Sequence, residues 1–235
     1  MCTVTFLPLG KNNFVLTSNR DELKERVTLP PKKYTENEVQ LLYPKDALAG
    51  GTWIGVSDKK RLVCVLNGGF TKHIREKAYL KSRGVIAKEV LKLNNLQQYI
   101  KLLDLNGVEP FTMIIVEWDK KNVSLFELIW DASKKHFSKL KNQPKIWSSS
   151  TLYSNEVKEQ RKRWFADWLK STTTNSNNIL DFHHSEIGSK EQSILMKRSY
   201  IETVSITQVL KQNHQIEMRY EDVVHSEIYK STLPS

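Results

Sequence analysis

The chain has 235 residues, of which 39% are hydrophobic and 26% charged, and 36 basic against 26 acidic residues give a net charge of +10. This composition predicts one globular domain over residues 1–235 and argues against a disordered chain, and no apolar run reaches the roughly 18 residues of a membrane span. The N-terminus lacks the basic start of a signal peptide and two cysteines provide no disulfide framework, so a cytoplasmic location is expected.

Basic residues gather in three stretches, at residues 70–84, 133–145 and 158–170. A basic surface of this kind could attract nucleic acid, an anionic membrane face or an anionic ligand. Acidic residues are interspersed among the lysines and arginines, which is typical of solvated helix and hairpin faces. We therefore predict no specific nucleic-acid partner.

The first third of the chain is dominated by strand patterns. Apolar alternation predicts strands at residues 2–6 and 14–18, and a hairpin formed by residues 52–57 and 61–66. The intervening residues 23–51 contain three prolines and no sustained period. They predict a long ordered loop, and loops of that length in compact domains tend to be functional.

Two helices are predicted next, followed by a second run of strands. Ser82 caps the first helix at residues 84–93, and Asn94 or Asn95 caps the second, which Gly107 ends. Strands then follow, predicted at residues 111–118, 123–130 and 135–140.

The last third contains the clearest helix and a closing hairpin. The helix follows residues 146–154, and Trp164 and Trp168 share its apolar face, which predicts core packing rather than ligand binding. Residues 171–178 form a polar spacer that we expect to be mobile. Strands are then predicted over the tail, at residues 203–212 and 216–224. Strand runs separated by helical blocks indicate an α+β fold with mostly antiparallel sheets.

Three short polar stretches are candidates for chemistry: Thr17–Glu22, residues 49–55 and residues 64–70. Asn67 follows an apolar strand directly, and its side-chain amide could donate a hydrogen bond to an oxyanion. Each stretch also has a structural interpretation. Thr17–Glu22 could lead into a helix cap, Asn67 and its following glycine could form a hairpin turn, and Trp53 could be core or a pocket wall.

Cys2 connects these stretches, although burial at a strand edge would also explain it. Removal of Met1 would leave Cys2 with a free amine, whose pKa near ~7.7–8.0 makes it a workable base for a thiol near ~8.5. A nearby arginine would lower the thiol pKa, a carboxylate would orient the amine, and an amide would hold the oxyanion. The residues that meet these requirements are Cys2, Arg20, Asp21 and Asn67.

The motifs "SNRDE", "GGTWIGVS", "VLNGG", "KSRG" and "SSSTLY" occur in an order that resembles the NRDE family, named for its Asn-Arg-Asp-Glu motif. It is also called the transport and Golgi organisation 2 family, and the resemblance spans essentially the whole chain. That family is in turn similar to N-terminal-nucleophile hydrolases of the choloylglycine hydrolase and penicillin V acylase group. The resemblance implies a four-layer αββα sandwich with a nucleophilic cysteine at the start of the first strand.

The hydrolase pattern carries over to individual positions. Its cysteine, aspartate and oxyanion-hole asparagine match Cys2, Asp21 and Asn67, and its late arginine matches Arg198. Two positions depart from it. The hydrolases have an arginine three residues before the aspartate, where this chain has Ser18, and its own arginine is Arg20. They also have a second asparagine where this chain has residues 149–151, two serines and a threonine.

Two functions remain open. One is a cysteine amidohydrolase or acyltransferase with Cys2, Arg20, Asp21, Asn67 and Arg198 as catalytic residues. Residues expected to bind its substrate are Asn19, Glu22, Trp53 and Ser150. The other is a non-catalytic carrier of haem, acyl-lipid or acyl-CoA that uses the same cleft, as the resemblance implies.

No cofactor or metal site is predicted. His183 and His184 are adjacent, and no carboxylate stands at metal-ligand spacing from them, so a loop or helix-end role is favoured. Cys64 alternates with valines inside a strand and is predicted to be a core residue. The expected partner is a small-molecule, acyl-type or haem-type ligand, and oligomeric state is not predicted.

Overall fold

The computed structural model describes residues 2–10 and 12–234. In chain order the elements are β1 (Cys2–Pro8), β2 (Phe14–Leu23), β3 (Thr28–Glu36), β4 (Val39–Asp46), β5 (Ile54–Ser57), β6 (Arg61–Asn67), α1 (Arg83–Leu91), α2 (Leu96–Leu102), β7 (Phe111–Trp118), β8 (Val123–Trp130), β9 (Lys135–Leu140), β10 (Lys145–Ser148), α3 (Asn155–Ser171), α4 (Ser176–His183), β11 (Ile201–Gln212), β12 (Gln215–Asp222) and β13 (Glu227–Pro234).

The strands form two antiparallel sheets. The first sheet has the order β10-β1-β2-β11-β12-β13, and the second has the order β3-β4-β5-β6-β7-β8-β9. Val4, Phe6 and Leu16 of the first sheet pack against Ile54 and Cys64 of the second in one fully buried apolar cluster. The two sheets therefore face each other across a shared core, as in a β-sandwich.

Helices cover both outer faces. A second apolar cluster joins the outer face of the seven-stranded sheet to α1 and α2, through residues such as Val63, Ile86 and Ile100. A third joins the six-stranded sheet to α3 and α4, through residues such as Val15, Phe165 and Phe182. The layers thus run helix, sheet, sheet, helix, which confirms the predicted α+β fold with a four-layer αββα sandwich.

Residues 23–51 are not the predicted long loop, because β3 and β4 pair as a hairpin over most of this segment. Prolines lack a backbone N–H and are tolerated at sheet edges and bulges. Pro30 and Pro31 lie on the edge strand β3 at a register shift, and Pro44 of β4 lies beyond the two positions paired with β5. These positions tolerate proline, so the prolines do not prevent β3 and β4 from forming, although they hid the strand pattern in the sequence.

Three further details differ from prediction. Residues 171–178 include the start of α4, because the Asn175 side chain caps the amides of Asn177 and Asn178 while Ile179 and Phe182 enter the core. The strands β10 and β13 were not predicted. The second predicted helix ends at Leu102, five residues before Gly107. The capping predictions for Ser82 and Asn95 are confirmed.

Across the described ranges, no helix is long and apolar enough to cross a membrane.

Candidate active site

Strand β2 carries the "SNRDE" motif through to Leu23, so these residues form a strand and not a helix cap. Successive side chains of a strand point to opposite faces. Arg20 faces the second sheet, where it meets Asp46 of β4. Asn19 and Asp21 face the layer of α3 and α4, where their hydrogen-bond partners lie. The motif therefore serves two different layers of the fold.

Asp21 is completely buried and has two side-chain donors. The Tyr153 hydroxyl donates to one carboxylate oxygen and the Thr203 hydroxyl to the other, each at 2.7 Å. Burial raises the pKa of Asp21, while the charge of Arg161 and these two hydrogen bonds oppose the rise. The carboxyl is thus held in one orientation at the end of β2.

Arg161 of α3 extends this network towards the start of β1. Its guanidinium carbon lies 3.6 Å from the centroid of the Tyr153 ring, and its Nη1 donates to the Thr3 hydroxyl at 2.5 Å. The backbone carbonyls of Gln192 and Ser193 accept its remaining hydrogen bonds. One fully buried arginine therefore fixes both the aromatic partner of Asp21 and the residue that follows Cys2.

Asn19 does not reach a cleft, contrary to the substrate-binding role predicted for it. Its amide nitrogen donates to the carbonyls of His183 and Ile194, and its oxygen lies 2.6 Å from Nδ1 of His183. The other nitrogen of His183 lies 2.7 Å from the Thr5 hydroxyl. Strand alternation places Asn19 beneath α4, where its polar atoms serve packing.

Burial is the main reason that the pKa of His183 falls to about 3, with further lowering by His184 and Arg161. The imidazole is therefore neutral at physiological pH. His183 is the last residue of α4 and His184 is its C-cap, which is the predicted helix-end role. No group of three metal-ligating side chains occurs among the residues that the structure describes.

Arg20 is a buried cation between the sheets. Its Nη2 lies 2.7 Å from the Asp46 carboxylate, and its guanidinium lies 4.5 Å from the centroid of the Trp53 ring. Asp46 also accepts from Arg26 at 2.8 Å. Although burial acts to raise the pKa of Asp46, the Arg26 hydrogen bond and the neighbouring charges lower it overall. Trp53 is 9% exposed and belongs to both the core and the pocket wall.

A cleft of about 620 Å³ opens beside this pair. Four of the predicted site residues line it: Arg20, Glu22, Trp53 and Asn67. The hydroxyl-bearing Thr151, the start of α1 and the segment before α1 complete the wall. The structure thus brings together residues from β2, from β6 and from the position directly before β5.

Asn67 lines this cleft, and hydrogen bonds fix the backbone around it. The Ser149 hydroxyl donates to the Asn67 carbonyl at 2.8 Å, and Thr112 donates to the Gly68 carbonyl at 3.0 Å. Gly68 has a φ of +87°, and an added Cβ would lie 3.1 Å from Ser150 and Thr151. A side chain at position 68 would be strained, which explains the glycine.

The Ser150 hydroxyl is engaged within the protein, and the substrate-binding role predicted for it stays a prediction. Its hydroxyl donates to the Gly69 carbonyl at 2.5 Å and accepts from Lys158 at 2.8 Å. Burial lowers the pKa of Lys158, with a smaller contribution from Lys162. The neighbouring Thr151 is the hydroxyl residue of this segment that lines the cleft.

Arg198 also lies away from the cleft wall. Its Nε donates to the Glu191 carbonyl at 3.0 Å, its Nη2 donates to the Leu152 carbonyl at 3.2 Å, and it lies 5.4 Å from the centroid of the Tyr153 ring. The carbonyls hold the guanidinium against the Asp21 network. The catalytic role predicted for Arg198 stays a prediction.

Cys2 begins β1, and its Cα partner in β2 is Arg20. The predictions for the Cys2 side chain and for Met1 lie outside the described part of the chain. Cys64 is fully buried between the sheets, as predicted for a core residue.

Sequence reasoning missed the partners of the site, namely Tyr153, Arg161, Thr203 and Asp46. Of these four residues, only Arg161 could have been recognised from a pattern in the sequence. It shares the apolar face of α3 with Phe165, where a charge must be buried and paired.

The four-layer fold is similar to that of solved N-terminal-nucleophile hydrolases. A penicillin V acylase from Agrobacterium tumefaciens superposes with a TM-score of 0.58 at 10% identity, over 97% of this chain and 85% of that one. A conjugated bile acid hydrolase variant from Clostridium perfringens gives 0.54 at 9% identity, over 100% and 96%. A Caenorhabditis elegans ortholog of N-acylethanolamine-hydrolyzing acid amidase gives 0.59 at 12%, over 88% and 92%. At these identities the similarity establishes the fold alone.

Within that fold, the chain belongs to the Transport and Golgi organisation 2 family, whose profile matches residues 1–229. A search of curated protein sequences found no match.

Proposed function

We propose that this protein is a cysteine hydrolase of the N-terminal-nucleophile type that acts on an amide or thioester bond of a small, acyl-bearing substrate in the cytoplasm. The observation that carries the proposal is the position of Asp21, a buried carboxyl held by two hydroxyl donors, beside the strand position that pairs with Cys2. Buried, oriented carboxyl groups whose pKa is perturbed cluster at functional sites.

The strand register supports a role for Asp21 in orienting the Cys2 amine. Cys2 pairs with Arg20, and antiparallel strands run in opposite directions. The backbone nitrogen of Cys2 lies on the N-terminal side of its Cα, which is the side of Asp21. Once Met1 is removed, this nitrogen is an amine that takes the thiol proton.

The chemistry then requires an oxyanion donor, for which Asn67 is the candidate. The thiolate attacks the carbonyl carbon, the carbonyl oxygen gains charge, and the bond to the amine or thiol leaving group breaks as that group takes the proton. Water hydrolyses the resulting thioester. Within the described residues the Asn67 side chain makes no hydrogen bond of its own, so its amide is free to donate. Thr151 lines the same wall and is the candidate second donor.

A carrier function is the second candidate, and the hydroxyl of Ser150 favours it. That residue stands in the segment where the hydrolases have their second asparagine, yet its hydroxyl is committed to Gly69 and Lys158. Arg198 is similarly committed to backbone carbonyls. A cleft with one amide donor suits binding of haem, acyl-lipid or acyl-CoA without turnover.

Intact mass of the natively expressed protein, followed by timed labelling with a thiol probe at pH 7, tests the proposal. We expect Met1 to be absent and Cys2 to label at least ~10-fold faster than a cysteine with an unperturbed pKa near ~8.5. Asp21→Asn should slow labelling of Cys2, whereas Glu22→Gln, a change at the next position but on the other face, should not. Retained Met1 or a slow Cys2 would refute the nucleophile.

The carrier is distinguished by binding. Titration with haem and with a long-chain acyl-CoA, each monitored with wild type and Cys2→Ala, reports occupancy without turnover. Tight binding that is unchanged in Cys2→Ala, together with no release of free acid from amide or thioester substrates, would favour the carrier over the hydrolase.

A further inference from the structure

Four strongly exposed apolar side chains are next in the chain to residues that line the cleft. Their exposed fractions are 94% for Ile74, 84% for Leu80, 83% for Leu48 and 62% for Val27. The cleft-lining residues next to them in the chain are His73 and Arg75 for Ile74, and Tyr79 and Lys81 for Leu80. Leu48 precedes the lining residue Ala49, and Val27 follows the lining residue Arg26. Scattered exposed apolar residues are ordinary, but their concentration around one opening marks an interaction surface.

Three different segments supply these side chains, which together we call the rim. Ile74 and Leu80 belong to residues 70–81, which run between β6 and α1 and are attached through Leu80 N to the Gly107 carbonyl at 2.8 Å. Val27 directly precedes β3 and Leu48 follows β4, and these two segments are joined where the Ala47 amide donates to the Val27 carbonyl at 3.1 Å. The exposed apolar side chains therefore come from separate parts of the chain that each border the cleft.

The rim is also basic. Residues 70–81 carry four cations, at positions 72, 75, 77 and 81, against the single acid Glu76. Lys81 pairs with Glu89 at 3.3 Å. Within the part of the chain that is described, Lys72, Arg75 and Lys77 have no ion pair. Three uncompensated positive charges thus stand beside the most exposed isoleucine of the molecule.

We propose that this rim docks on an anionic lipid bilayer, with Ile74 and Leu80 entering the interface and the basic side chains contacting the headgroups. Single apolar side chains flanked by lysine and arginine are typical of peripheral membrane binding. Lysine, in contrast, is depleted from protein–protein interfaces, where apolar residues form a contiguous patch. The alternation of isoleucine and leucine with lysine along one segment favours the bilayer over a protein partner.

Docking in this orientation turns the opening of the cleft towards the membrane. An acyl-bearing ligand could then pass between the bilayer and the cleft without crossing water. The docking does not depend on the chemistry of Cys2, so it stands or fails separately from the proposed hydrolase.

Co-sedimentation of the full chain with vesicles tests the proposal. We expect binding to vesicles of phosphatidylcholine with 30% phosphatidylserine, and little binding to pure phosphatidylcholine or at high salt. Replacing Lys72, Arg75 and Lys77 together by glutamine should lower the partition coefficient roughly 100-fold, at about fivefold for each charge. The matched control neutralises three exposed lysines elsewhere, Lys120, Lys121 and Lys141.

The apolar contribution is tested by Ile74→Asp combined with Leu80→Asp, which we expect to lower the partition coefficient at least ~10-fold. The control is Leu102→Asp on α2, where the side chain is 78% exposed and lies outside the rim segments. Thermal unfolding verifies that all variants fold. Absence of binding to anionic vesicles, or equal losses in the rim and control variants, would overturn the assignment and leave a protein partner as the occupant of the rim.

Discussion

The hydroxyl of Tyr153 is expected to support the ionised form of Asp21, and Tyr153→Phe tests this with the smallest possible change. The substitution keeps the ring that stacks under Arg161 and removes the donor that lies 2.7 Å from the carboxylate. Hydrogen bonds to charged groups contribute about 1.5–3 kcal/mol. For a chain of this length, each kcal/mol shifts Tm by about 2–4 °C, so a decrease of about 3–12 °C is expected at a pH where Asp21 is ionised.

The pH dependence separates this effect from simple loss of packing. Burial raises the folded-state pKa of Asp21 above its unfolded value, so this carboxyl costs stability as the pH rises through that interval. The Tyr153 hydroxyl offsets part of that cost because it favours the ionised carboxylate. The loss in Tyr153→Phe should therefore be largest above the folded pKa of Asp21 and should shrink as the pH falls and the carboxyl becomes protonated.

Urea unfolding of wild type and variant across pH 4–8 measures this difference. Tyr99→Phe is the matched control, because its hydroxyl donates to Glu89 at 3.1 Å on a partly exposed surface, where we expect a loss below about 1 kcal/mol. A Tyr153→Phe loss that is the same at every pH, or no larger than that of Tyr99→Phe, would contradict the coupling between the tyrosine and the carboxylate.

Three further outcomes are expected. Lys135→Met should lower the free energy of unfolding by about 1–3 kcal/mol, because Nζ of Lys135 donates to three carbonyls at the end of α2. Lys139→Met, on the same strand, should change the free energy of unfolding by less than about 0.5 kcal/mol. In an NMR titration, the His183 ring should stay neutral to below pH 4, since its pKa is about 3. The free energy of unfolding should then decrease as the pH falls below about 6.5, because the unfolded chain takes up the proton there. A normal titration of His183 would refute its burial. Gly84→Ala should lower the free energy of unfolding by about 1–3 kcal/mol, since the new Cβ would lie 2.9 Å from the backbone nitrogen of Thr52. An unchanged Tm would show that the backbone of this cleft wall can shift to accommodate the methyl group.

Local pattern was sufficient for much of the fold. The alternation in residues 61–66 and 111–118 predicts strands that the structure contains, because a half-buried or fully buried strand leaves a direct mark in the sequence. The hairpin of β3 and β4 left no such mark, since prolines at an edge strand carry the same signal as prolines in a loop. Residues 171–178 were misjudged because polar cap residues stand directly before the short apolar face of α4.

The site was predictable only in part, for a reason of distance along the chain. Asp21 and Asn67 stand in short motifs that can be recognised locally. The partners of Asp21 cannot be recognised locally, because Tyr153 is 132 residues and Thr203 is 182 residues from it in the chain. Which hydroxyl reaches a given carboxyl depends on how β11 and the loop after β10 pack on β2, and no periodicity of a single sequence contains that information. For the same reason, the commitment of Ser150 and Arg198 to backbone carbonyls could not be foreseen.

The alternation of faces along β2 has a consequence for inherited variation in such proteins. Neighbouring codons of one four-residue motif should produce different defects when they are altered. Changes at Asn19 remove hydrogen bonds beneath α4, and they should reduce the amount of folded protein in a cell. Changes at Glu22 alter the cleft wall, and they should leave abundance normal while ligand handling fails. Measurement of protein level beside ligand handling would sort variants of a single motif into these two groups.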